Sequence, residues 1–315
     1  MKTNTEIFTL GVKLSLLAIF SSPVVAFAEN GVPGPGQAAA PMVIKTVAPS
    51  ATFAAAGHVV NGVALRNMMS GTIATRGVPA GAPVKAAYLY WNYGNNVSVG
   101  TATEPMIFNN HLVIGTKVAD GAGLCWGTTG THTYRAVVTP FIPLANPNQD
   151  YYIGGSGETT SGLNPWTSPA TIRKNNGAAL VVVYGGTTLA PVLGDVMLYD
   201  RLSGTAMLGG TSTFTLTHTA LATGAAQFSM VGADGQRGVT HTNTSSNETG
   251  KFNTVQFSGP PVAASDWDGS EGLPLPQLWD VHTHNVSLNG TTSSVVEYAT
   301  PSDCVMPVAF IIDKQ

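Results

Sequence analysis

The fold class is most clearly indicated by residues Gly177 to Tyr184, which read GAALVVVY. This segment carries no charge, and three consecutive valines favour a strand over a helix. An apolar run without polar alternation is typical of a strand buried on both faces. By contrast, Thr211 to Thr217, TSTFTLT, alternates polar and apolar residues, so we expect a strand with one face in water.

The surrounding sequence consists of further short apolar runs separated by Gly, Asn, Asp and Pro. Sequence patterns typical of helices are nearly absent. Further predicted strands are 87–91, 106–108, 136–138, 151–153, 227–231, 252–257, 293–298 and 308–312. The chain is therefore predicted to be all-β, with one or two jelly-roll-like antiparallel β-sandwiches.

The composition excludes two classes of protein. The chain has 315 residues, a net charge of -3, 10% charged residues and 43% hydrophobic residues. Because general nucleic-acid binding needs many Lys and Arg contacts to phosphate, we expect no nucleic-acid partner. The apolar content is too high for a disordered chain.

Residues 1–28 have the features of a secretory signal peptide. Lys2 and Lys13 come first, an apolar run from Leu14 to Phe20 follows, and the segment ends in an Ala-x-Ala cleavage site at Ala28. The run is too short to span a bilayer, so we expect no transmembrane anchor after cleavage. The exported chain, with 12 basic and 16 acidic residues, is predicted to be secreted or displayed at the cell surface.

Export bears on the two cysteines, Cys125 and Cys304. In an oxidising compartment we expect them to form a disulfide bond, which closes a loop of about 180 residues. The alternative is two buried free thiols.

The domain organisation follows from Gly, Pro and polar segments. Residues 29–41, rich in Gly, Pro and Ala, are predicted to be a linker. A first β-sandwich is expected over 42–165 and a second over 166–315, divided in a polar segment rich in Gly, Ser and Thr. The alternative is one continuous domain.

Motifs for covalent catalysis and phosphate binding are absent. There is no Gly-x-Ser-x-Gly elbow, no phosphate-cradling loop and no His-Glu-x-x-His zinc motif. We therefore assign no catalytic residue and favour a protein that is not an enzyme.

The densest acidic cluster is the sequence DWDGSEG, residues 266–272. Asp266, Asp268 and Glu271 offer the hard oxygen ligands that calcium prefers, and calcium is the one cofactor we predict. An EF-hand is excluded because Gln277 stands at the twelfth position, where a bidentate Glu belongs. The alternative is a solvated acidic turn.

A second candidate metal site follows at Asp280, His282 and His284. On a strand these alternate residues share one face, and two histidines so placed can chelate a transition metal. The alternative is a half-exposed strand that carries Trp279 and Val281 into the core.

Aromatic residues in turn-like sequence suggest a glycan site. Trp126, Trp166 and Trp267 are the tryptophans most expected to be exposed, where they can stack on sugar rings. Paired carboxylates for glycoside hydrolysis are the enzymatic alternative.

Four stretches in order give a family resemblance: 84–91, 177–184 with 195–200 behind it, 266–286 and 303–309. Together they resemble the uncharacterised β-sandwich modules of secreted and cell-surface proteins of bacteria and archaea, which often precede adhesin-like repeats. The resemblance implies surface display and adhesion or assembly, and it implies no catalytic residue.

The sequence thus predicts an exported structural or adhesive β-sandwich protein that contacts proteins, glycans or copies of itself. The low charge weakens repulsion between copies, and the apolar run from Val308 to Ile312 is a candidate for assembly by strand addition. The alternative function is a secreted carbohydrate-binding module or a glycan-active enzyme.

Overall fold

A computed structural model describes residues 43–123, 128–158, 173–188, 191–192, 194–205, 207, 209–236, 247–271, 277–300 and 304–314. These residues form sixteen β-strands and one short 3-10 helix at Thr139–Phe141. The predicted signal peptide and linker lie outside the described residues.

Eight strands form the sheet that we call sheet 1, in the order β3-β10-β5-β8-β7-β6-β9-β4. All its pairs are antiparallel. The strands are β3 (Ala56–Ala64), β4 (Ser70–Ala74), β5 (Val84–Asn95), β6 (Thr103–Phe108), β7 (His111–Ala122), β8 (Gly130–Val137), β9 (Asp150–Gly154) and β10 (Lys174–Gly185).

The other eight strands form sheet 2, in the order β14-β13-β15-β12-β16-β11-β2, with β1 paired to β12. The β1–β12 pair is parallel, a departure from the antiparallel prediction. The strands are β1 (Ile44–Val47), β2 (Ala51–Phe53), β11 (Val196–Tyr199), β12 (Gly210–Gln236), β13 (Thr249–Phe252), β14 (Val255–Ser258), β15 (Gln277–Thr300) and β16 (Met306–Lys314).

The predicted strand environments are confirmed at the two stretches that define the fold. Residues 178–183 of β10 are fully buried, because the strand has apolar neighbours on both faces. Residues 211–217 of β12 alternate between buried and more exposed side chains, with Phe214 and Leu216 in the core. The all-β, sandwich-like fold is confirmed as well.

Three layers of core account for the strands that are buried on both faces, β10, β11 and β16. One layer lies between the sheets, where Val181 and Tyr90 of sheet 1 belong to the same apolar cluster as Leu198 and Ile311 of sheet 2. Each sheet also curls around a core of its own, lined by Trp91 and its neighbours in sheet 1. The corresponding core of sheet 2 includes Phe214, Phe228, Trp267, Tyr298 and Phe310.

The curl of sheet 1 closes by contact between its two end strands. A Cβ atom added to Gly71 of β4 would lie 2.8 Å from the side chain of Val63 on β3. Glycine at this position therefore lets the two ends of the sheet approach closely.

The predicted boundary between residues 165 and 166 does not separate the sheets. β10 follows the boundary and lies in sheet 1, whereas β1 and β2 precede it and lie in sheet 2. Each sheet therefore contains strands from both sides of the predicted boundary, and the sheets share a core.

The role suggested for Val308 to Ile312 is wrong. This run lies in β16, which pairs with β12 on one side and β11 on the other. Every residue of the run is buried. A strand with both edges paired and both faces covered has no free edge to which another chain can add.

The predicted disulfide falls partly outside the described residues. Cys304 is buried just before β16. Cys125 lies outside the described residues, so the Cys125–Cys304 bridge stays a prediction.

Candidate functional site

The two candidate metal clusters predicted separately from the sequence lie against each other. β15 carries Asp280, His282 and His284 on one face, as its alternation predicts, and Trp279 enters the core between the sheets on the other. The segment 259–271, which we call the acidic loop, covers the face that holds the acid and the two histidines. Residues up to 18 positions apart thus form one cluster.

Each β15 side chain meets a particular part of the acidic loop. His284 Nε2 lies 2.8 Å from Asp266 Oδ1, and His282 Nε2 lies 3.5 Å from Asp268 Oδ1. The backbone N–H of Gly269 donates a hydrogen bond to Asp280 Oδ1. The loop therefore docks through three adjacent contacts, one for each polar residue on this face of the strand.

The cluster is enclosed. The exposed fractions of Asp266, Asp268 and Asp280 are 1%, 6% and 0%. Although Oδ1 of Asp280 accepts the Gly269 N–H, its Oδ2 atom is buried without a hydrogen-bond partner. A buried polar atom in this condition costs free energy that a ligand can recover.

The pKa values in this cluster are shifted, because several acidic side chains lie close together away from solvent. Burial raises the pKa of Asp280 well above its ordinary value. Burial also raises the pKa of Glu271, to about 7. Burial lowers the pKa of His282, but the carboxylates of Asp268, Asp266 and Asp280 outweigh it and raise the value to about 9.

Of the Cys, His, Asp and Glu side chains that the structure describes, Asp268, Asp280 and His282 come together as a group of potential metal ligands. One ligand atom from each lies within 4.8 Å of the others. This group takes one member from the predicted calcium site and two from the predicted transition-metal site.

The remaining predicted ligands, Asp266, Glu271 and His284, lie outside this group of three. Asp266 accepts hydrogen bonds at both carboxylate oxygens, from His284 when that nitrogen is protonated and from Tyr298 Oη at 3.0 Å. The backbone of Glu271 joins the loop to both sheets, because its N–H donates to Trp279 O and its C=O accepts from Ala64 N. These residues hold the loop in place around the ligand group.

The predicted exposure of Trp267 is wrong, and with it the sugar-stacking surface expected there. Its side chain is fully buried, packs edge-on against Tyr298 at 5.2 Å and belongs to the core of sheet 2. The sequence around Trp267 forms a loop, as predicted, but the loop folds inwards and places the indole in the core of sheet 2. Trp126 and Trp166 lie outside the described residues.

Sequence reasoning missed the residues that make room for the loop. A Cβ atom at Gly232 would lie 2.2 Å from the Trp267 ring, and one at Gly235 would lie 2.2 Å from Asp280 Oδ2. Two glycines three apart on a strand are the signal that a loop approaches the backbone closely.

A second polar group was also missed, and it joins the two sheets. His58 Nδ1 lies 2.9 Å from Asp313 Oδ2, and His58 Nε2 lies 2.7 Å from Ser229 Oγ. The order of acid, histidine and serine matches a nucleophile triad, but Ser229 is fully buried in the middle of β12. The group therefore satisfies polar atoms between the sheets and offers no surface to a substrate.

The outer surface of sheet 1 carries an apolar area. Leu112 and Ile114 of β7 are 69% and 56% exposed, and they pair with Ile107 and Pro105 of β6. Because directly paired residues share a face, these four residues form one patch, which we call the outer face.

No helix among the described residues has the length and apolar character needed to cross a bilayer.

Comparison with known proteins identifies no family. No protein-family model and no curated protein matches the chain, so the resemblance to cell-surface modules stays a hypothesis. Among solved structures, the chain is similar to BuGH86 in complex with neoagarooctaose, at 9% identity and a TM-score of 0.27, over 84% of this chain and 33% of that one.

Two further structures show a similarity of the same degree. One is BpGH86A, a β-porphyranase of glycoside hydrolase family 86 from the human gut bacterium Bacteroides plebeius, at 10% identity, a TM-score of 0.26 and coverage of 82% and 35%. The other is dimeric latent PorU from Porphyromonas gingivalis, at 9% identity, a TM-score of 0.27 and coverage of 81% and 24%. The chain spans about a third of the length of the glycoside hydrolase structures.

Proposed function

We propose that the chain is an exported structural protein whose fold is fastened by a divalent metal ion bound to Asp268, Asp280 and His282. The observation that carries this proposal is the carboxylate of Asp280, which belongs to a group of three potential ligands and has one oxygen, Oδ2, buried without a hydrogen-bond partner. Export rests on the signal-like residues 1–28, and calcium remains a candidate ion.

A bound ion would act on the stability of the loop. Two nearly buried carboxylates close together are unfavourable, because burial removes their hydration and their charges repel. A divalent cation offsets both effects and is the largest local charge in such a site. Because Asp268 lies on the acidic loop and the other two ligands lie on β15, the ion would fasten loop to strand.

Enclosure favours an ion over a sugar as the ligand. The alternative of a glycan-active enzyme needs two carboxylates that reach a glycosidic bond, and a binding module needs exposed aromatic rings. The acids that converge here are almost completely buried, and so is Trp267. A group of this kind admits a single ion more readily than a polysaccharide chain.

The test measures melting temperature and ion content. We expect the purified protein, stripped with chelator and titrated with Zn²⁺, Mn²⁺ and Ca²⁺ in turn, to melt at a temperature that rises with the concentration of at least one ion. Asp280→Asn should abolish the rise, because the amide replaces a ligand oxygen without changing the shape of the side chain. Asp150→Asn is the matched control, since that carboxylate lies at the surface beside Arg76.

One result would contradict the proposal: no ion raises the melting temperature and none binds at one equivalent. A rise that persists in Asp280→Asn would place the ion elsewhere in the molecule.

The outer face supports a second candidate function, contact between copies of the chain. Its exposed residues Leu112 and Ile114 are aliphatic rather than aromatic, which favours a protein surface over a sugar ring. None of the four residues of the outer face is charged, so no charge repulsion between these residues opposes contact between two copies. Sedimentation equilibrium tests this function, and a monomer mass at every concentration would contradict it.

A further inference from the structure

We infer that the ion is a first-row transition metal ion, with Zn²⁺ as the leading candidate, and that His282 is the residue that selects it over Ca²⁺. This inference rests on the proposed metal site and names the class of ion that the site takes. The ligand group differs from both sequence-based expectations, which placed calcium on Asp266, Asp268 and Glu271 and a transition metal on Asp280, His282 and His284.

The first argument is the chemistry of the ligand group. Asp268 and Asp280 supply carboxylate oxygens and His282 supplies an imidazole nitrogen. Calcium and magnesium bind oxygen ligands, whereas imidazole suits zinc and its first-row neighbours. Three protein ligands, with a fourth position for water, is a common zinc arrangement.

The second argument is the spacing between ligands. His282 Nε2 and Asp268 Oδ1 lie 3.5 Å apart, which is long for a hydrogen bond. Two ligands at the usual distances from a tetrahedral zinc ion are about 3.3 Å apart. The pair thus needs to move by only a few tenths of an ångström to share an ion.

The third argument is a shortage of oxygen atoms. Calcium takes six to eight oxygen ligands. Both oxygens of Asp266 are already engaged, with His284 and Tyr298, and Oδ1 of Asp280 accepts the Gly269 N–H. Asp266, which the sequence predicted as the first calcium ligand, therefore lies outside the ligand group. Its hydrogen bonds to His284 and Tyr298 hold the acidic loop against β15.

The surrounding hydrogen bonds orient the ligands, as is usual around bound metals. The Ser270 N–H donates to Asp268 Oδ1 at 3.1 Å. The Gly269 N–H fixes one oxygen of Asp280 and leaves the other, Oδ2, unpartnered. Both ligand carboxylates are thus held by consecutive backbone amides of the acidic loop.

The experiment is a competition between ions on the purified protein without reductant. We expect Zn²⁺ to raise the melting temperature at micromolar concentrations and to keep its site in millimolar Ca²⁺. Co²⁺ should give the visible absorption bands of a nitrogen-containing site. His282→Gln should weaken Zn²⁺ binding by more than about 100-fold. A loss of this size exceeds the one usual for a residue that only hydrogen-bonds to a metal ligand. His111→Gln is the matched control, because His111 lies exposed on β7.

The outcomes separate the inference from the proposal beneath it. Tighter binding of Ca²⁺ than of Zn²⁺ would overturn the inference and leave a metal site in place. Failure of every ion to bind would overturn the proposed function itself. If His282→Gln does not fold, the competition and the Co²⁺ spectrum of the unaltered protein decide the question. Equal Zn²⁺ affinity in folded His282→Gln would remove His282 as the selecting residue.

Discussion

The two curled sheets enclose their own cores in different ways. Sheet 1 closes its curl with a strand, because β4 packs directly on β3 and the enclosed residues are apolar or aromatic. Sheet 2 closes part of its curl with the acidic loop, which inserts Trp267 into the core and leaves carboxylates around it. The contact between this loop and β15 encloses a carboxylate oxygen, Oδ2 of Asp280, that has no hydrogen-bond partner.

The two cores differ in the polar groups that surround them. Both cores consist of buried aliphatic and aromatic side chains, so burial alone does not distinguish them. Each sheet has buried polar atoms without a hydrogen-bond partner, such as Trp91 Nε1 in sheet 1. What distinguishes sheet 2 is that one of these atoms, Oδ2 of Asp280, belongs to a group of three potential metal ligands. We therefore expect the curl of sheet 2 to respond to metal ions and the curl of sheet 1 to be indifferent to them.

The largest expected effect comes from removing one tryptophan from each curl. Trp91→Ala and Trp267→Ala should each lower the free energy of unfolding by about 3–5 kcal/mol, because each empties a buried indole site. Only Trp267→Ala should also abolish the metal-dependent rise in melting temperature, because the indole anchors the loop between Asp266 and Asp268. Denaturant unfolding with metal and with chelator measures both quantities. An equal metal response in the two variants would contradict the expectation that only the core of sheet 2 depends on metal.

A smaller effect is expected from removing one buried hydroxyl in each curl. Tyr298→Phe should cost about 1–3 kcal/mol, because it takes a donor from the buried carboxylate of Asp266. Tyr134→Phe should cost about 0.5–1.5 kcal/mol, because its hydroxyl donates to the uncharged carbonyl of Thr101 at 2.9 Å. Thermal unfolding of both variants in chelator sharpens the comparison, and a reversed order would contradict it.

The smallest effect on stability is expected on the outside of sheet 1. Ile114→Lys should change the free energy of unfolding by no more than about 0.5 kcal/mol, because the side chain is exposed. It should nevertheless shift the sedimentation mass towards the monomer, since a charge on the outer face repels a second copy. Val255→Lys, which adds the same charge at an exposed aliphatic position on β14 of sheet 2, is the control. An unchanged mass of an assembled protein would exclude the outer face as the contact.

Local pattern predicted much of the fold. The uniform run in β10, the alternation in β12 and the shared face of Asp280, His282 and His284 all follow from the two-residue period of a strand. These features depend on neighbouring residues alone, so the sequence contains them directly.

What the sequence did not contain is the result of long-range pairing. The burial of Trp267 depends on a loop that turns inwards over glycines of another strand. The contact between His58 and Asp313 joins residues 255 positions apart. The merging of the two predicted metal clusters needs the acidic loop to fold back on β15, and no local pattern specifies that direction.

The exchange of strands between the sheets also sets an order of folding. All strands of sheet 1 lie between Ala56 and Gly185, so that sheet can assemble as soon as those residues are available. β1 has to wait, because its partner β12 lies about 170 positions further along the chain. Sheet 2 stays incomplete until β16 enters between β12 and β11. As the chain folds, β1 and β2 therefore stay unpaired until β12 and β11 are available, and β16 then joins those two later strands.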